Sequence, residues 1–426
     1  MASEAPEAPA DERCQIVRRL LRLAGPVTGA YALEGVATLV PFWAAAHLGS
    51  PDAEEATRRV GAVGLGSSVL AVFCHTFAAG WAGAQDTLVS QAYGEEDDKK
   101  ARDYLHCCLV WMLLFAAAAS VLLWQTEALL LWLGCASEQI AADTARHVIA
   151  SIPGACFTFQ YDSLRKFLMN QQISSPGFWV LVATVPCHLA MSVLLLEWSS
   201  IDPVVSLGIA FSVKSAVSFF LLGGYMSWFH VTPSCVGWWR IWQSSAFTWK
   251  GLLSYAAIGV PNVAMVGFDW WAFELLTLLA GGLQSQSELA AHVAMATVSN
   301  WTFLLSRGVS KAATALVGAA TGQKDLAQVS STLKAGTQLT AAMCGMIVAC
   351  CWVGRGQLAL GLLSDEAASQ EAFMRAFPFM LLQILADGAN SLFSGVFAAF
   401  GRQGAVSIGL FTCQWVVQLT GAWQLG

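Results

Sequence analysis

Val266-Gly267-Phe268-Asp269-Trp270-Trp271-Ala272-Phe273-Glu274-Leu275-Leu276 lies within an apolar run, Leu252 to Leu283, long enough to cross a bilayer. It holds two carboxylates and four aromatic rings. An acid at the centre of a membrane helix costs on the order of 2.5–3.5 kcal/mol on insertion. Acids kept there usually face a bundle interior and mark an ion or substrate pathway. The other helices are therefore expected to build a chamber around this pair.

The rest of the chain supports a membrane setting. Of its 426 residues, 56% are hydrophobic and only 12% charged, where a soluble protein carries about 25% charged residues. Apolar runs of roughly 20 residues, each able to span about 30 Å of hydrocarbon as a helix, recur from end to end. The net charge of −6 gives no basic face for nucleic acid. The twelve cysteines lie mostly inside apolar runs, without metal-ligand spacing to histidine, and read as small hydrophobes. No Gly-rich turn has the GxxxxGK[ST] pattern of a nucleotide-driven pump.

Read in order, residues 1–22 form an Ala/Pro/Glu-rich, then Arg-bearing, tail expected to be disordered and cytosolic. Residues 23–228 form a first lobe, with spans at about 25–48, 61–90, 104–124, 141–167, 177–196 and 204–228. Residues 229–250, rich in tryptophan, form a connector expected to be an interfacial helix at headgroup depth. Residues 251–426 form a second lobe, with spans at about 252–283, 289–320, 335–353, 373–400 and 405–425. Basic residues concentrate in the even-numbered loops (Lys99, Lys100, Arg165, Lys166, Arg240, Lys324, Arg402), which places the N-terminus in the cytosol.

The lobes echo one another. Gly25-Pro26 recurs as Gly259-Val260-Pro261, Leu88 to Gly94 as Leu316 to Gly322, and Pro153 as Pro378, at offsets of about 225 to 235 residues. Duplicated six-helix halves are a transporter architecture with the site between them. The repeat also pairs the acids: Glu34 falls eight residues after Pro26, and Asp269 eight after Pro261.

These residues bring a family into view. Ala84-Gln85-Asp86-Thr87-Leu88-Val89-Ser90-Gln91-Ala92-Tyr93-Gly94 resembles the DTLxxQxYG stretch ending the second helix of multidrug and toxic compound extrusion (MATE) transporters. Asp269-Trp270-Trp271-Ala272-Phe273-Glu274 is similar to the acidic-Trp-Trp-aromatic-Glu stretch in the seventh helix of their eukaryotic branch. Leu168-Met169-Asn170-Gln171 resembles the turn after the fourth helix, and Gly308 to Ala313 with Val317-Gly318 the end of the eighth. Asp387, eight residues before Gly395-Val396, and Gly401-Arg402-Gln403 match the tenth helix and its turn. The resemblance runs from about Leu23 to Gln418.

It implies two pseudo-symmetric six-helix lobes around a V-shaped cavity and export of organic cations or metabolites against protons. Eleven spans are counted here, so the family's last helix is expected to be missing. Tyr31 stands where the family commonly has Gln, and Thr297 where some members carry an acid.

Burial disfavours a charged carboxylate, so a buried acid can exchange a proton near neutral pH. Deprotonated, it attracts an organic cation; protonated, it releases it. Aromatic faces add about 2 kcal/mol of cation–π attraction when desolvated. Glu274 shares a face with Trp270 and Trp271, whereas Asp269 lies about 140° around the helix. Glu274 is expected to be the cavity group with Asp387 facing it, while Asp269 and Glu34 are further proton or cation sites. Trp270, Trp271, Tyr31, Thr297 and Asn300 are expected to line the cavity. Arg307 and Lys311 share a face at the end of the eighth span and either hold the cytosolic mouth closed or snorkel to the headgroups, the simpler expectation, and Asp86 is expected to cap or pair with a loop.

The expected function is a secondary antiporter, not an enzyme, using no cofactor beyond a proton (or sodium) gradient. Its partners are a small cationic substrate and the bilayer of a plasma, vacuolar or other organelle membrane, with the chain acting as a monomer. The alternatives are a lipid-intermediate flippase, which a cavity rich in Arg and Lys would favour although few such residues stand mid-span, and a membrane-embedded lipid-modifying enzyme, which would need a His/Asp/Glu cluster at one membrane face that the sequence does not offer.

Overall fold

Hydrocarbon cannot satisfy backbone N–H and C=O groups, so apolar runs of this length must fold as helices. The computed structural model describes residues 10–49, 52–244, 248–281, 286–363 and 367–425, and among these no strand forms. The long helices are α1 (Ala10–His47), α2 (Ala53–Gly94), α3 (Asp98–Leu123), α4 (Glu138–Asn170), α5 (Ser175–Trp198) and α6 (Pro203–Phe229). They continue as α7 (Trp249–Gly281), α8 (Gln286–Gly322), α9 (Leu326–Val353), α10 (Ala367–Ala399) and α11 (Gln403–Gln424). Among the described residues, nine helices are long and apolar enough to cross a membrane. The other two, α4 and α8, are 33 and 37 residues long but more polar. Exposed tryptophans stand at helix ends, such as Trp198 (79%) and Trp228 (85%), where indoles favour the headgroup layer.

Helices α2–α6 pack chiefly on one another, as do α8–α10, with α11 on α7, while α1 runs along α8 and α7 along α2 across the lobe boundary. The internal repeat is visible in the turns. After α2 and after α8 the chain reverses through Glu96 (φ 59°) and Lys324 (φ 60°), residues at equivalent places in the two copies. Asp97 then caps α3 by accepting from Lys100 N (2.9 Å), and Asp325 caps α9 by accepting from Gln328 N (2.9 Å).

The same segments meet across the lobe boundary. A Cβ on Gly94 would lie 2.0 Å from the Ala319 carbonyl oxygen, and one on Gly322 would lie 2.1 Å from that of Gln91. Gln91 and Ala319 are themselves repeat equivalents, so each copy makes the same contact to the other. This is the self-complementary geometry of a two-fold axis.

Two expectations need correction. The tail predicted over residues 1–22 is helical from Ala10; residues 1–9 lie outside the described residues. Ile16, Leu20, Leu23 and Ala24 recur at helical spacing and bury against Val309, Ala312 and Leu316 of α8 and Leu392 of α10. That packing stabilises the extra turns.

The connector is not one interfacial helix. It folds as two short 3-10 turns, Pro233–Cys235 and Ile241–Gln243, because Pro233 and the left-handed Gly237 (φ 75°) interrupt helical geometry. Trp238 is buried in the first lobe, donating to Ser227 Oγ (2.9 Å), whereas Trp242 and Trp249 stay exposed.

Candidate functional site

The acids of the opening stretch take different roles. Asp269 on α7 is half-buried and its Oδ1 accepts from Gln414 Nε2 (2.8 Å, α11) and Asn390 Nδ2 (3.3 Å, α10). Gln414 lies in a π-helical stretch, Phe411–Gln418, a local widening of the helix often found at functional sites. Trp415 holds that stretch to α7 by donating to the Phe268 carbonyl (2.9 Å).

Asp387, on the same helix as Asn390, is close enough to Asp269 for the two carboxylates to interact electrostatically. Glu274 is exposed and makes no hydrogen bond or ion pair among the described residues. The expected facing of Asp387 and Glu274 is not seen: Asp269 is the acid that acts electrostatically on Asp387. Asn390 bridges the depth between α7 and α10 at Asp269, while Glu274 lies more than a turn further along α7.

The first lobe holds the equivalent positions. Pro153 and Pro378 set the register of α4 against α10: nine residues on stand Asp162 and Asp387, and twelve residues on stand Arg165 and Asn390. Glu34 corresponds to Asp269 by the same reasoning from Pro26 and Pro261. Where Asn390 offers Asp269 an amide, Arg165 offers Glu34 a guanidinium at 2.6 Å, and it also binds Asp162 at 3.0 Å. Lys214 of α6 adds a second positive charge within reach of both Glu34 and Asp162, and His75 lies near Asp162 and Lys214. Glu34, predicted as a proton or cation carboxylate, is thus already neutralised by a neighbour.

Between the lobes sits Arg307 of α8. Its guanidinium stacks over Tyr31 (5.1 Å), Trp270 (5.3 Å) and Phe303 (5.6 Å), and Arg165 approaches Tyr31 from its own helix at 5.6 Å. Cation–π contact with three rings is a desolvated setting, so the predicted snorkelling of Arg307 does not occur. Tyr31 is buried between the two arginines, and a narrow recess lined by Val27, Ala30, Tyr31, Arg165, Met169 and Phe178 runs beside it. Trp271 packs on Phe77 of α2 (5.8 Å), with its buried indole N–H lacking an acceptor among the described residues. Thr297 and Asn300 are exposed on α8, and the Thr297 hydroxyl is turned to its own helix, donating to the Val293 carbonyl (2.9 Å).

A second charged group is built from Lys311, one helical turn beyond Arg307, and from Lys166, the residue after Arg165. Asp86 of α2 is 1% exposed; its Oδ2 accepts from Lys166 Nζ (2.7 Å, α4) and Lys311 Nζ (2.8 Å, α8), and its Oδ1 from Asn170 Nδ2 (3.2 Å). Asp86 is therefore not a loop cap, and Lys311 does not reach for headgroups. The burial of Asp86 makes at least one counter-charge obligatory, since a lone charge here is costly, and two lysines and an amide supply it.

Hydrogen bonds close the lobes around this latch. Thr87 donates to the Ala398 carbonyl, Gln91 Nε2 to the Ala399 carbonyl (2.8 Å), Tyr255 to the Trp81 carbonyl (2.8 Å) and Asn262 to the Gly80 carbonyl (2.6 Å).

Sequence reasoning found the acids but missed Arg165, Lys166, Lys214, Arg307 and Lys311 as interior groups. The repeat register of α4 and α10 carried the signal for Arg165, which aligns with a residue one turn from Asp387.

The architecture and the sequence agree with known proteins. A family model, MatE, matches residues 23–194 and 261–423. Protein DETOXIFICATION 37 of Arabidopsis thaliana is 25% identical over 415 residues, covering 96% of this chain and 78% of that protein. Multidrug and toxin extrusion protein 2 of Mus musculus is 26% identical over 392 residues, covering 90% of this chain and 64% of its own. Among solved structures, the eukaryotic MATE transporter AtDTX14 superposes with a TM-score of 0.83 at 19% identity, covering 95% of this chain and 87% of that one. A MATE family transporter of the MOP superfamily in an outward-facing conformation superposes with a TM-score of 0.84 at 14% identity, covering 98% and 91%. The chain belongs to the MATE family of multidrug and toxin extrusion transporters, and is an integral, multi-pass membrane protein of that fold.

Proposed function

We propose that the chain is a secondary antiporter that exports organic cations, xenobiotics or secondary metabolites in exchange for protons. The observation that supports this best is the carboxylate pair of the second lobe. Asp269 acts on Asp387 electrostatically, and Asp269 is held by amides alone. Like charges in a low-dielectric site disfavour joint ionisation, so the pair is the natural place for a proton and a substrate cation to compete. Trp270 and Trp271 supply the aromatic faces beside it.

In this reading Arg307 and the Asp86 latch are the moving parts. With the N-terminus in the cytosol, the latched end is cytosolic and the chamber opens to the other side. Export requires Lys311 to leave Asp86 as the lobes rock, and proton uptake at Asp269–Asp387 biases that change. Alternating access by rocking of two repeats is how such inverted or parallel duplications move substrate.

The driving ion is the proton, with sodium as the competing reading. The protein acts as a monomer in a plasma or vacuolar-type membrane and is not an enzyme.

The experiment is uptake of a fluorescent organic cation into inverted vesicles, driven by an imposed proton gradient. Asp387→Asn is expected to reduce accumulation roughly 5–150-fold, the range of typical coupling energies. Accumulation unchanged in Asp387→Asn and in Asp269→Asn would remove the coupling role. Glu274→Gln serves as a comparison, with a smaller loss expected because Glu274 has no partner to exchange.

A further inference from the structure

Charge on the first turns of α1 goes unanswered. From Cys14 to Tyr31 the helix holds three arginines, Arg18, Arg19 and Arg22, and no acid. All three are exposed and make no ion pair or hydrogen bond among the described residues. The helix beneath them is held from behind. Ile16, Leu20, Leu23 and Ala24 pack in one cluster with Leu316 and Ala320 of α8 and with Val329, four residues past the Asp325 cap of α9. The arginines therefore stand at the membrane-surface end of the bundle, near the Lys324 turn, and not at mid-depth.

The direction in which this face points is a second observation. Arg18, Arg22, Gly25, Val36, Leu39 and Trp43 recur at helical spacing along one stripe of α1, and all are exposed. The apolar part of the stripe faces lipid, so the arginines form the headgroup end of a lipid-facing surface. Leu21 beside them is 52% exposed. A Cβ on Gly25, one turn inward of Arg22, would meet nothing within 4 Å. Bare helix surface thus lies directly below the guanidinium groups.

We propose that this face of α1 binds an anionic phospholipid, its headgroup on Arg18, Arg19 and Arg22 and an acyl chain along Gly25, Val36 and Leu39. Basic clusters just outside a membrane span attract such headgroups, and a guanidinium matches phosphate geometry in a bidentate way. A water-soluble phosphate would gain the charge but not the stripe. The site is independent of what the chamber carries and of proton coupling. Only the leaflet that supplies the lipid rests on the proposed cytosolic N-terminus.

The test is native mass spectrometry of the purified full-length chain in detergent, titrated with dioleoylphosphatidylserine or dioleoylphosphatidylcholine. These lipids share their chains and differ in headgroup charge. Wild type is expected to hold phosphatidylserine about tenfold or more tighter, each arginine contributing about fivefold near an anionic surface. The difference should shrink as salt rises. Combining Arg18→Gln, Arg19→Gln and Arg22→Gln is expected to erase the preference. Lys99→Gln, at an exposed lysine on the first turn of α3, is expected to leave it unchanged. Soluble phosphoserine should not displace the bound lipid.

Equal binding of the two lipids by wild type, a preference that survives the triple variant, or an equal loss in Lys99→Gln overturns the proposal. Displacement by phosphoserine also overturns it. Should the triple variant not fold, Arg18→Gln and Arg22→Gln decide singly, because a preference undiminished in both excludes the site.

Discussion

The two lobes place an acid on their first helix, an acid on their fourth, and a polar residue one turn beyond it. The first lobe fills these positions with Glu34, Asp162 and Arg165, and the second with Asp269, Asp387 and Asn390. The difference is one guanidinium. In the first lobe it ties both acids into ion pairs, while in the second an amide binds Asp269 and no ion pair forms at either carboxylate among the described residues. The repeat thus holds one constellation twice, and a single position makes one copy a brace and leaves the other without an ion pair among the described residues.

Breaking the brace should have the largest effect. Arg165→Ala strands two partly buried carboxylates, and loss of one partner of a buried pair costs roughly 3–5 kcal/mol. The expected outcome is a clear fall in the thermal unfolding midpoint of the purified protein, partly restored by adding Glu34→Gln. Asn390→Ala, at the equivalent place, should cost far less; equal losses would refute the contrast.

Copying the brace into the second lobe sharpens the comparison. Asn390→Arg should neutralise Asp269 and Asp387 and cut gradient-driven uptake roughly 5–150-fold, with the protein still folded by size-exclusion profile. Uptake at wild-type level would mean that the free carboxylates are not needed.

Smaller, and equal, effects are expected where the two copies are alike. Gly94→Ala and Gly322→Ala each push a methyl group into a carbonyl of the other copy. Overpacking of this kind costs about 1–3 kcal/mol, so both variants should lower the unfolding midpoint by similar amounts. A loss in only one would show that the lobe contact is not symmetric.

Much of this was legible in the sequence. Hydropathy gave the long helices, and the echo of Leu88–Gly94 in Leu316–Gly322 anticipated paired turns that share a left-handed residue, Glu96 and Lys324. Asp269, Asp387 and Glu34 announced themselves because an acid in an apolar run is costly. Their partners did not. Arg165 and Lys166 sit within a few residues of a helix end and Lys311 in the last third of α8, where long basic side chains ordinarily reach headgroups, so linear position alone assigned them to loops or snorkelling. Only the folded chain brings Asp86, some 80 residues from Lys166 and 225 from Lys311, between them. The connector misled in the opposite sense: its tryptophans suggested an interfacial helix, but Pro233 and Gly237 break it and Trp238 turns inward.

The most direct measurement is proton-gradient-driven cation uptake in two variants at the repeat-equivalent acid, Asp387→Asn and Asp162→Asn, each corrected for the amount of folded protein. The account predicts that Asp387→Asn loses gradient-driven accumulation while Asp162→Asn, whose charge is already answered by Arg165, keeps most of it. Accumulation retained in Asp387→Asn and lost in Asp162→Asn would place the coupling site in the first lobe and contradict the account.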